Sequence, residues 1–178
     1  MHNYMNQAKL PKALMTALFL VTAASLSFIA NAGQKIEQTY VKTNYRILAK
    51  SVFTVDDATK HEISQEMGTA DFEFSNSDFR LKETWTYTQS DLIDGSGTQK
   101  GYFLDTHMDG SRDYGTFQGT IKSTSKPDGS WEAIWEGTYQ YVGGSGKYKD
   151  IKGSGKYKGK ASSKDPGGRE EGRETIEY

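Results

Sequence analysis

The stretch Gly143–Lys160 reads GGSGKYKDIKGSGKYKGK and contains a nine-residue unit, Gly144–Lys152, that is repeated almost unchanged in Gly153–Ala161. Short alternating segments bounded by Gly and Ser are typical of antiparallel strands that are joined by turns. The stretch therefore predicts an all-β architecture. It does not indicate a reaction, because Gly146-Lys147 and Gly155-Lys156 are each followed by Tyr where a phosphate-binding loop needs Ser or Thr.

Similar alternation continues along the chain from Ile36, in segments enriched in Tyr, Val, Thr, Phe and Trp. Pairs that favour tight turns lie between several of them, namely Asp94-Gly95, Asp109-Gly110, Asp128-Gly129 and Gly143-Gly144. The predicted strands are Ile36–Thr54 with a bend near Asn44, Lys60–Met67, Leu81–Leu92, Thr98–Met108, Arg112–Thr124, Ser130–Val142, Lys147–Lys152 and Gly155–Ser162. This number and spacing fit an antiparallel sandwich or barrel. We favour a closed barrel, because closure removes the free edges that promote aggregation.

The segment Asp56–Gly68, DDATKHEISQEMG, fits two structures. An Asp at its start and a Gly at its end are typical of helix caps. In the alternative, His61, Ile63 and Met67 share one face of a strand, with polar residues between them. We favour the strand.

The first 32 residues have the pattern of a cleavable signal peptide. Lys9 and Lys12 are followed by an apolar run, Ala13–Ala30, and then by Ala30-Asn31-Ala32, whose small residues suit a signal peptidase. The alternative is a transmembrane anchor, but two Thr and two Ser dilute the run. We therefore expect residues 33–178 to form one barrel domain that is periplasmic or secreted.

The balance of charge gives no reason to expect a nucleic-acid partner. The chain has 22 basic and 23 acidic residues, and removal of Lys9 and Lys12 with the signal peptide leaves 20 against 23, a net charge of −3. The chain has no Cys, which excludes disulfides and a lipid-modified N-terminal Cys. An exported domain of this kind depends on hydrophobic burial and backbone pairing.

No metal site or cofactor is predicted. His61 and His107 are the only His residues after the predicted cleavage site, and without Cys they are too few for a typical transition-metal site. The segment Asp105–Gly110 resembles the start of an EF-hand loop, but Thr116 occupies the position that needs a bidentate carboxylate. No spacing singles out a nucleophile with its base, so the catalytic residues remain unknown.

Period-two alternation assigns side chains to the two faces of each strand. Trp135, Tyr139 and Tyr141 share one face of Ser130–Val142. In Leu81–Leu92, Trp85 and Tyr87 share a face, opposite a row of Thr84, Thr86 and Thr88. We expect both aromatic faces to point into the barrel.

The predicted pocket lining is therefore Trp85, Tyr87, Trp135, Tyr139 and Tyr141, with His61 and His107 as polar contacts near a rim. The alternative is that the rings only fill a packed interior, since an eight-stranded barrel is just wide enough for side chains or one small ligand.

A row of Lys residues runs along the repeat and just beyond it, and such a row could bind an anionic polymer or a lipid headgroup. Its members are Lys147, Lys149, Lys152, Lys156, Lys158, Lys160 and Lys164. Three of them alternate with Tyr157, Gly159 and Ala161, as on the solvent face of a hairpin, and an acidic tail from Glu170 to Glu177 offsets their charge. We favour a solvated face.

A membrane-spanning barrel is disfavoured. Counting back by twos from Tyr178 puts Glu174 and Glu170 on the face that would contact lipid, where charge is costly. The mean hydropathy of −0.73 is also low. No stable membrane insertion is predicted after cleavage.

The stretch Gly137–Tyr148, continued through Ile151, Gly153-Ser154-Gly155 and Tyr157, resembles the glycine-rich hairpin of bacterial proteins with an allene oxide cyclase-like barrel. Asp57–Gly68 and Gly101–Ser111 are also similar to that family. The resemblance implies a calycin-like, eight-stranded antiparallel barrel with an apolar cavity. The plant enzymes cyclise an unstable fatty-acid epoxide without a cofactor, whereas many bacterial relatives are exported proteins with no assigned activity. The resemblance places no catalytic residue on this chain.

Three functions follow as hypotheses. We favour a binding protein whose interior holds a small apolar or amphipathic, lipid-like ligand. The second is a cofactor-independent isomerase or cyclase, which requires a buried carboxylate or His with a shifted pKa. The third is a structural or interaction protein at the cell surface, which requires an exposed patch but no cavity. The sequence leaves the ligand and the oligomeric state open.

Overall fold

The computed structural model of the protein describes Gly33 and residues 35–178, so the predicted signal peptide lies outside the described residues. Eight antiparallel strands form a closed barrel, as predicted. The strands are β1 Lys35–Val55, β2 His61–Phe74, β3 Leu81–Ile93, β4 Ser96–His107, β5 Arg112–Ser125, β6 Trp131–Ser145, β7 Lys152–Ser162 and β8 Asp165–Glu177. In this part of the chain, no helix has the length and apolar character needed to cross a bilayer.

Each strand pairs with the next one along the chain, and β1 closes the barrel against β8. The closing ladder runs from Lys35 opposite Glu177 to Lys42 opposite Glu170. Beyond it, β1 bends at Asn44, which has φ 53°, and the register against β2 shifts between Thr43 and Arg46. The bend predicted near Asn44 is therefore confirmed, and it ends the pairing of β1 with β8.

The local predictions of strand and turn are largely confirmed. The ambiguous segment is a strand from His61 onward, not a helix. Asp94-Gly95 forms a tight turn in which both residues have positive φ, and Gly110 and Gly129 have positive φ between their strands. The pair Gly143-Gly144 was predicted as a turn, but it lies within β6.

The two copies of the repeat have different structures, so the strand predicted over Lys147–Lys152 is wrong. The first copy leaves β6 and forms a 3₁₀ turn, Gly146–Tyr148, whereas the second copy forms β7. Gly146 has φ 60°, which directs the chain out of the strand. Ile151 then becomes buried, while its counterpart in the second copy, Lys160, is exposed on an outer face.

The eighth strand is β8, which the sequence patterns did not predict. Its inward residues include Gly168, Glu170, Gly172, Glu174 and Ile176, so four of these five positions are charged or lack a side chain. A strand with such a face shows no alternation of apolar and polar residues.

Aromatic rings cover inward-facing glycines on neighbouring strands. Tyr139 lies directly opposite Gly155, and Trp135 directly opposite Gly159. A Cβ atom built on either glycine would overlap the ring opposite it. The same arrangement joins Tyr40 to Gly172, Phe103 to Gly115, Phe117 to Gly101 and Tyr157 to Gly137. These glycines are therefore needed for their small size within strands, whereas the sequence pattern had associated the glycines of the repeat with turns.

One end of the barrel is closed by an apolar plug. Phe79, Tyr148, Ile151 and Ile176 are each at most 2 % exposed, and they come from the β2–β3 and β6–β7 connections and from β8. Phe79 packs edge-to-face on Tyr148 at 5.4 Å between ring centroids. The plug gives the barrel a solid core at this end.

Gly159→Ala is expected to destabilise the fold by about 1–3 kcal/mol, because the added methyl group overlaps the Trp135 indole and forces it to move. Denaturant unfolding measures this loss. The control is a double-mutant cycle with Trp135→Leu, in which the penalty for the alanine should shrink once the ring is absent. Equal penalties in the two backgrounds would contradict the ring-on-glycine contact.

Candidate functional site

The barrel encloses a cavity of about 380 Å³ between the plug and the opposite end. Rings from β1, β4, β5, β6 and β7 line one side of it, among them Tyr40, Phe103, Phe117, Tyr139 and Tyr157. The inward row of β3 supplies small polar side chains instead, namely Thr84, Thr86, Thr88 and Ser90. The cavity thus combines an aromatic wall with a wall of hydroxyl groups.

The two ends of the cavity differ in exposure. At the end opposite the plug, its lining includes Leu92, Ile121, Trp131 and Ala133, and all four are only partly buried. Ile47, in the part of β1 beyond the bend, also lines this end and is 51 % exposed. A ligand would therefore enter at this end, which is called the mouth below.

Glu170 lies within the aromatic wall and is fully hydrogen-bonded. Its carboxylate accepts hydrogen bonds from the Tyr40 hydroxyl at 3.1 Å, the Trp135 indole Nε1 at 2.6 Å and the Lys42 ammonium at 2.9 Å. Lys42 also provides the opposite charge. Glu170 is therefore a paired charge that holds two rings in place.

Glu174 lies deeper and is 2 % exposed. Its carboxylate accepts hydrogen bonds from the Gln38 amide at 2.5 Å, the Tyr139 hydroxyl at 2.5 Å and the Tyr141 hydroxyl at 2.9 Å. Burial raises the pKa of Glu174, and the hydrogen bonds from Tyr139, Gln38 and Tyr141 oppose that rise. Because all three partners donate, the arrangement fits a carboxylate that is ionised and accepts only.

A second group of polar residues lies between the cavity and the plug. Thr84 donates to Asp105, and His107 Nε2 lies 2.5 Å from Asp113 Oδ2. The His107 ring stacks on Tyr148 with 3.9 Å between centroids. Burial and the nearby Glu174 raise the pKa of Asp113 from 3.8 to about 8, whereas burial lowers the pKa of His107. The Asp113–His107 contact is therefore a neutral pair at neutral pH.

Three of the predicted pocket residues lie where they were expected. Trp135, Tyr139 and Tyr141 all line the cavity and all hydrogen-bond to a buried Glu. Their faces follow from the alternation of aromatic and charged residues in β6.

The face assignment of β3 was reversed. Trp85 and Tyr87 lie on the outer face, and Tyr87 is 46 % exposed, while the Thr row faces the cavity. The face that carries Trp85 also carries Glu83 and Asp91, which have no buried partner, whereas the Thr row carries no charge. Small hydroxyl side chains also fit opposite the rings of the other strands.

Neither His lies at the rim of the cavity. His61 is on the outer side of β2, 3.0 Å from Asp57 and 2.7 Å from Asp91, and hydrogen bonds to Asp91 and then Asp57 raise its pKa. His107 is buried beneath the cavity floor, with 2 % exposure. Both placements correct the sequence prediction.

The two acidic residues of the cavity were not among the predicted pocket residues. Glu170 and Glu174 were interpreted as part of an acidic tail that offsets the Lys row, but both point inward. Ile176 shares their face and is 1 % exposed. Ile176 was the one signal in the sequence that this face is buried, and the charges of Glu170 and Glu174 on the same face obscured it.

The Lys residues of β7 lie on the outer face, as the solvated-face interpretation predicts. Lys156, Lys158 and Lys160 are exposed, and Lys158 lies opposite Glu136 of β6 and Glu171 of β8. These acidic neighbours offset part of the positive charge on this face.

The fold and the site define the class of protein: a closed eight-stranded antiparallel β-barrel with an aromatic-lined internal cavity that contains buried carboxyl groups. Comparisons with protein-family models, with curated proteins and with solved structures found no match. Residues 35–178 contain no group of three or more His, Cys, Asp or Glu side chains arranged to hold a metal ion.

The raised pKa of Asp113 predicts that the fold loses stability as the pH rises. In the folded state Asp113 keeps its proton up to about pH 8, whereas the unfolded chain releases it near its ordinary value of 3.8. The folded state therefore binds more protons in between, and the free energy of unfolding should fall by on the order of 2 kcal/mol from pH 6.5 to pH 9. His107 is neutral in the folded state there, because burial lowers its pKa. The unfolded His107 is half protonated at pH 6.5, its ordinary pKa, and its loss of that proton opposes the fall by only about 0.4 kcal/mol.

Denaturant unfolding at several pH values measures this slope, which Asp113→Asn should flatten. Some slope will remain, because burial and Asp113 also raise the pKa of Asp105, and burial raises that of Glu174. Asp128→Asn is the control, because this turn residue has a lowered pKa and stays ionised throughout the window. An unchanged slope in Asp113→Asn would contradict the prediction.

Proposed function

We propose that the barrel interior binds one small apolar or amphipathic molecule, and that the protein does so after export to the periplasm or the cell exterior. A cavity of about 380 Å³ lies within the usual range of ligand sites, about 300–1,000 Å³. Its aromatic wall suits an apolar body, and the Thr row of β3 offers hydrogen bonds to polar groups. Export itself is inferred from the pattern of residues 1–32.

The observation that carries this proposal is the space left between the rings. Tyr139 and Trp135 pack directly against Gly155 and Gly159 of the neighbouring strand, so they line the barrel wall and do not fill its centre. The rings do contact one another, for example Phe103 and Tyr139 at 6.0 Å. Packing alone would leave no cavity of this size, since protein interiors rarely contain large voids.

The allene oxide cyclase-like family remains our proposal for the evolutionary relationship. The glycine-rich segments carry it, and a closed eight-stranded barrel is the architecture that such a relationship requires. The ring-on-glycine contacts explain why glycines recur in the segments that carry the resemblance.

Thr88→Trp should abolish ligand binding, because the large ring would occupy the cavity. The matched control is Gln89→Trp, which places the same ring at the next residue but on the exposed outer face. Binding is measured as the dissociation constant of the neutral apolar dye N-phenyl-1-naphthylamine, from its fluorescence enhancement. We expect the wild type and the control to bind and Thr88→Trp not to bind.

Native mass spectrometry of gently extracted protein should also show a co-purifying small molecule. Two results together would refute interior binding: equal dye affinity in the Thr88→Trp and Gln89→Trp variants, and no bound molecule in the mass spectrum.

A cofactor-independent isomerase or cyclase is our second candidate. The observation that favours it is the contact of the Tyr139 and Tyr141 hydroxyls with Glu174, a buried carboxyl group of raised pKa on the cavity wall. Such a group can polarise a bound substrate, and the enclosing walls can hold a flexible chain in a reactive shape. Cyclisation of a fatty-acid epoxide is an isomerisation, so it requires no other reactant.

This activity predicts a stereochemical excess in the cyclised product of an unstable fatty-acid allene oxide generated in solution. The Glu174→Gln variant should give the racemic product of the spontaneous reaction. Glu136→Gln is the control, because it removes an acid from the outer face of β6. A racemic product from the wild type would contradict the activity while leaving ligand binding intact.

A further inference from the structure

The deep part of the cavity contains negative charge that the protein does not compensate. Lys42 pairs with Glu170, and Lys50 pairs with Glu66 at 3.6 Å nearer the mouth. No ion pair within residues 35–178 includes Glu174, although it is 2 % exposed. Asp105, 6 % exposed, also lines this part of the cavity; burial raises its pKa, and its hydrogen-bond donor is Thr84. A buried carboxylate without a cation is costly, so a positive charge beside it would be strongly favoured.

Three buried polar atoms near the deep part of the cavity have no hydrogen-bond partner, namely Gln38 Oε1, Asp113 Oδ1 and His107 Nδ1. None of these three residues lines the cavity, so the polar groups that a ligand would meet here are the acids of the wall. Glu174 presents acceptor oxygens there, and an ammonium group brings three donors and no acceptor.

Aromatic rings pack beside the Glu174 carboxylate. Tyr139 and Tyr141 donate to it, and Phe103 contacts both of these rings, at 6.0 Å and 5.4 Å between centroids. Tyr40 also packs on Tyr139, at 6.2 Å. An ammonium ion beside the carboxylate would also be attracted to ring faces that it meets, because these carry partial negative charge.

We propose that the ligand of this cavity is a cationic amphiphile, whose amine lies against Glu174 and Asp105 and whose apolar part extends towards the mouth. This inference rests on the proposed binding of an amphipathic molecule in the barrel. The residues nearer the mouth, among them Leu92, Ile121 and Trp131, suit an apolar tail. A carboxylate head at the same place would add like charge and further acceptors, so fatty acids are disfavoured in this orientation.

Three ligands with the same tail test the head group: octylamine, octan-1-ol and octanoate. Their dissociation constants are measured with the purified protein at pH 7 by displacement of N-phenyl-1-naphthylamine. We expect octylamine to bind at least tenfold more tightly than octan-1-ol, and octanoate to bind most weakly.

Two variants test whether the preference for an amine depends on Glu174 and on the rings beside it. Glu174→Gln keeps an oxygen that can accept from the Tyr hydroxyls, and it should remove the advantage of octylamine over octan-1-ol measured in the same variant. Phe103→Leu keeps an apolar side chain and should reduce the ratio of the octylamine affinity to the octan-1-ol affinity by roughly threefold or more. Glu136→Gln controls for the change in net charge and should behave as wild type.

The outcomes separate this inference from the proposed function. Equal affinities for octylamine and octan-1-ol, or tightest binding of octanoate, would overturn the cationic ligand and retain interior binding. Failure of all three ligands and of the dye to bind would overturn both. If Glu174→Gln does not fold, the wild-type ranking and Phe103→Leu still decide the question, because neither depends on that variant.

Discussion

The packing of aromatic rings onto inward-facing glycines is the constraint on which this barrel depends. An eight-stranded barrel has room for side chains or for one small ligand, and rings of ordinary orientation would fill it. Gly155, Gly159 and Gly172 let Tyr139, Trp135 and Tyr40 lie against the backbone of the neighbouring strand. The rings thus cover backbone that glycine would otherwise leave bare, and the centre of the barrel stays open.

The same rings also solvate the buried acids. Tyr40 and Trp135 donate to Glu170, and Tyr139 and Tyr141 donate to Glu174, so four rings of the wall are each fixed at their polar end. Aromatic residues with a polar group can be buried only when that group finds a partner. The acids therefore determine the orientation of the rings, and the rings reduce the cost of burying the acids. Loss of either member would disturb a wall shared by β1, β6 and β8.

The fold could be predicted from sequence where one face of a strand is clearly apolar or where a turn needs positive φ. The first condition holds for β6, and the second holds for the turn at Asp94-Gly95. Prediction failed where the interior itself is polar. On β3 the small Thr row faces inward, and on β8 the inward positions include Glu170, Gly172 and Glu174. Period two identifies the faces, but burial of a charge depends on partners from distant strands, which no local pattern contains. The two copies of the repeat adopt different structures for a related reason. Ile151 of the first copy packs into the apolar plug, whereas Lys160, at the same position of the second copy, is exposed.

The two ends of the cavity differ in polarity, so an amphipathic ligand can bind in one preferred orientation. The plug end is dry and solid, the acids lie next to it, and the less polar, partly exposed side chains lie at the mouth. An amphipathic ligand that enters through the mouth must therefore lead with its polar end if that end is to reach Glu174. Desolvation of that end is offset only by hydrogen bonds and charges that are already in place, because Glu174 is held by Gln38, Tyr139 and Tyr141 before any ligand arrives. Such preorganisation favours a ligand whose charge complements the acids over one that must reorganise them.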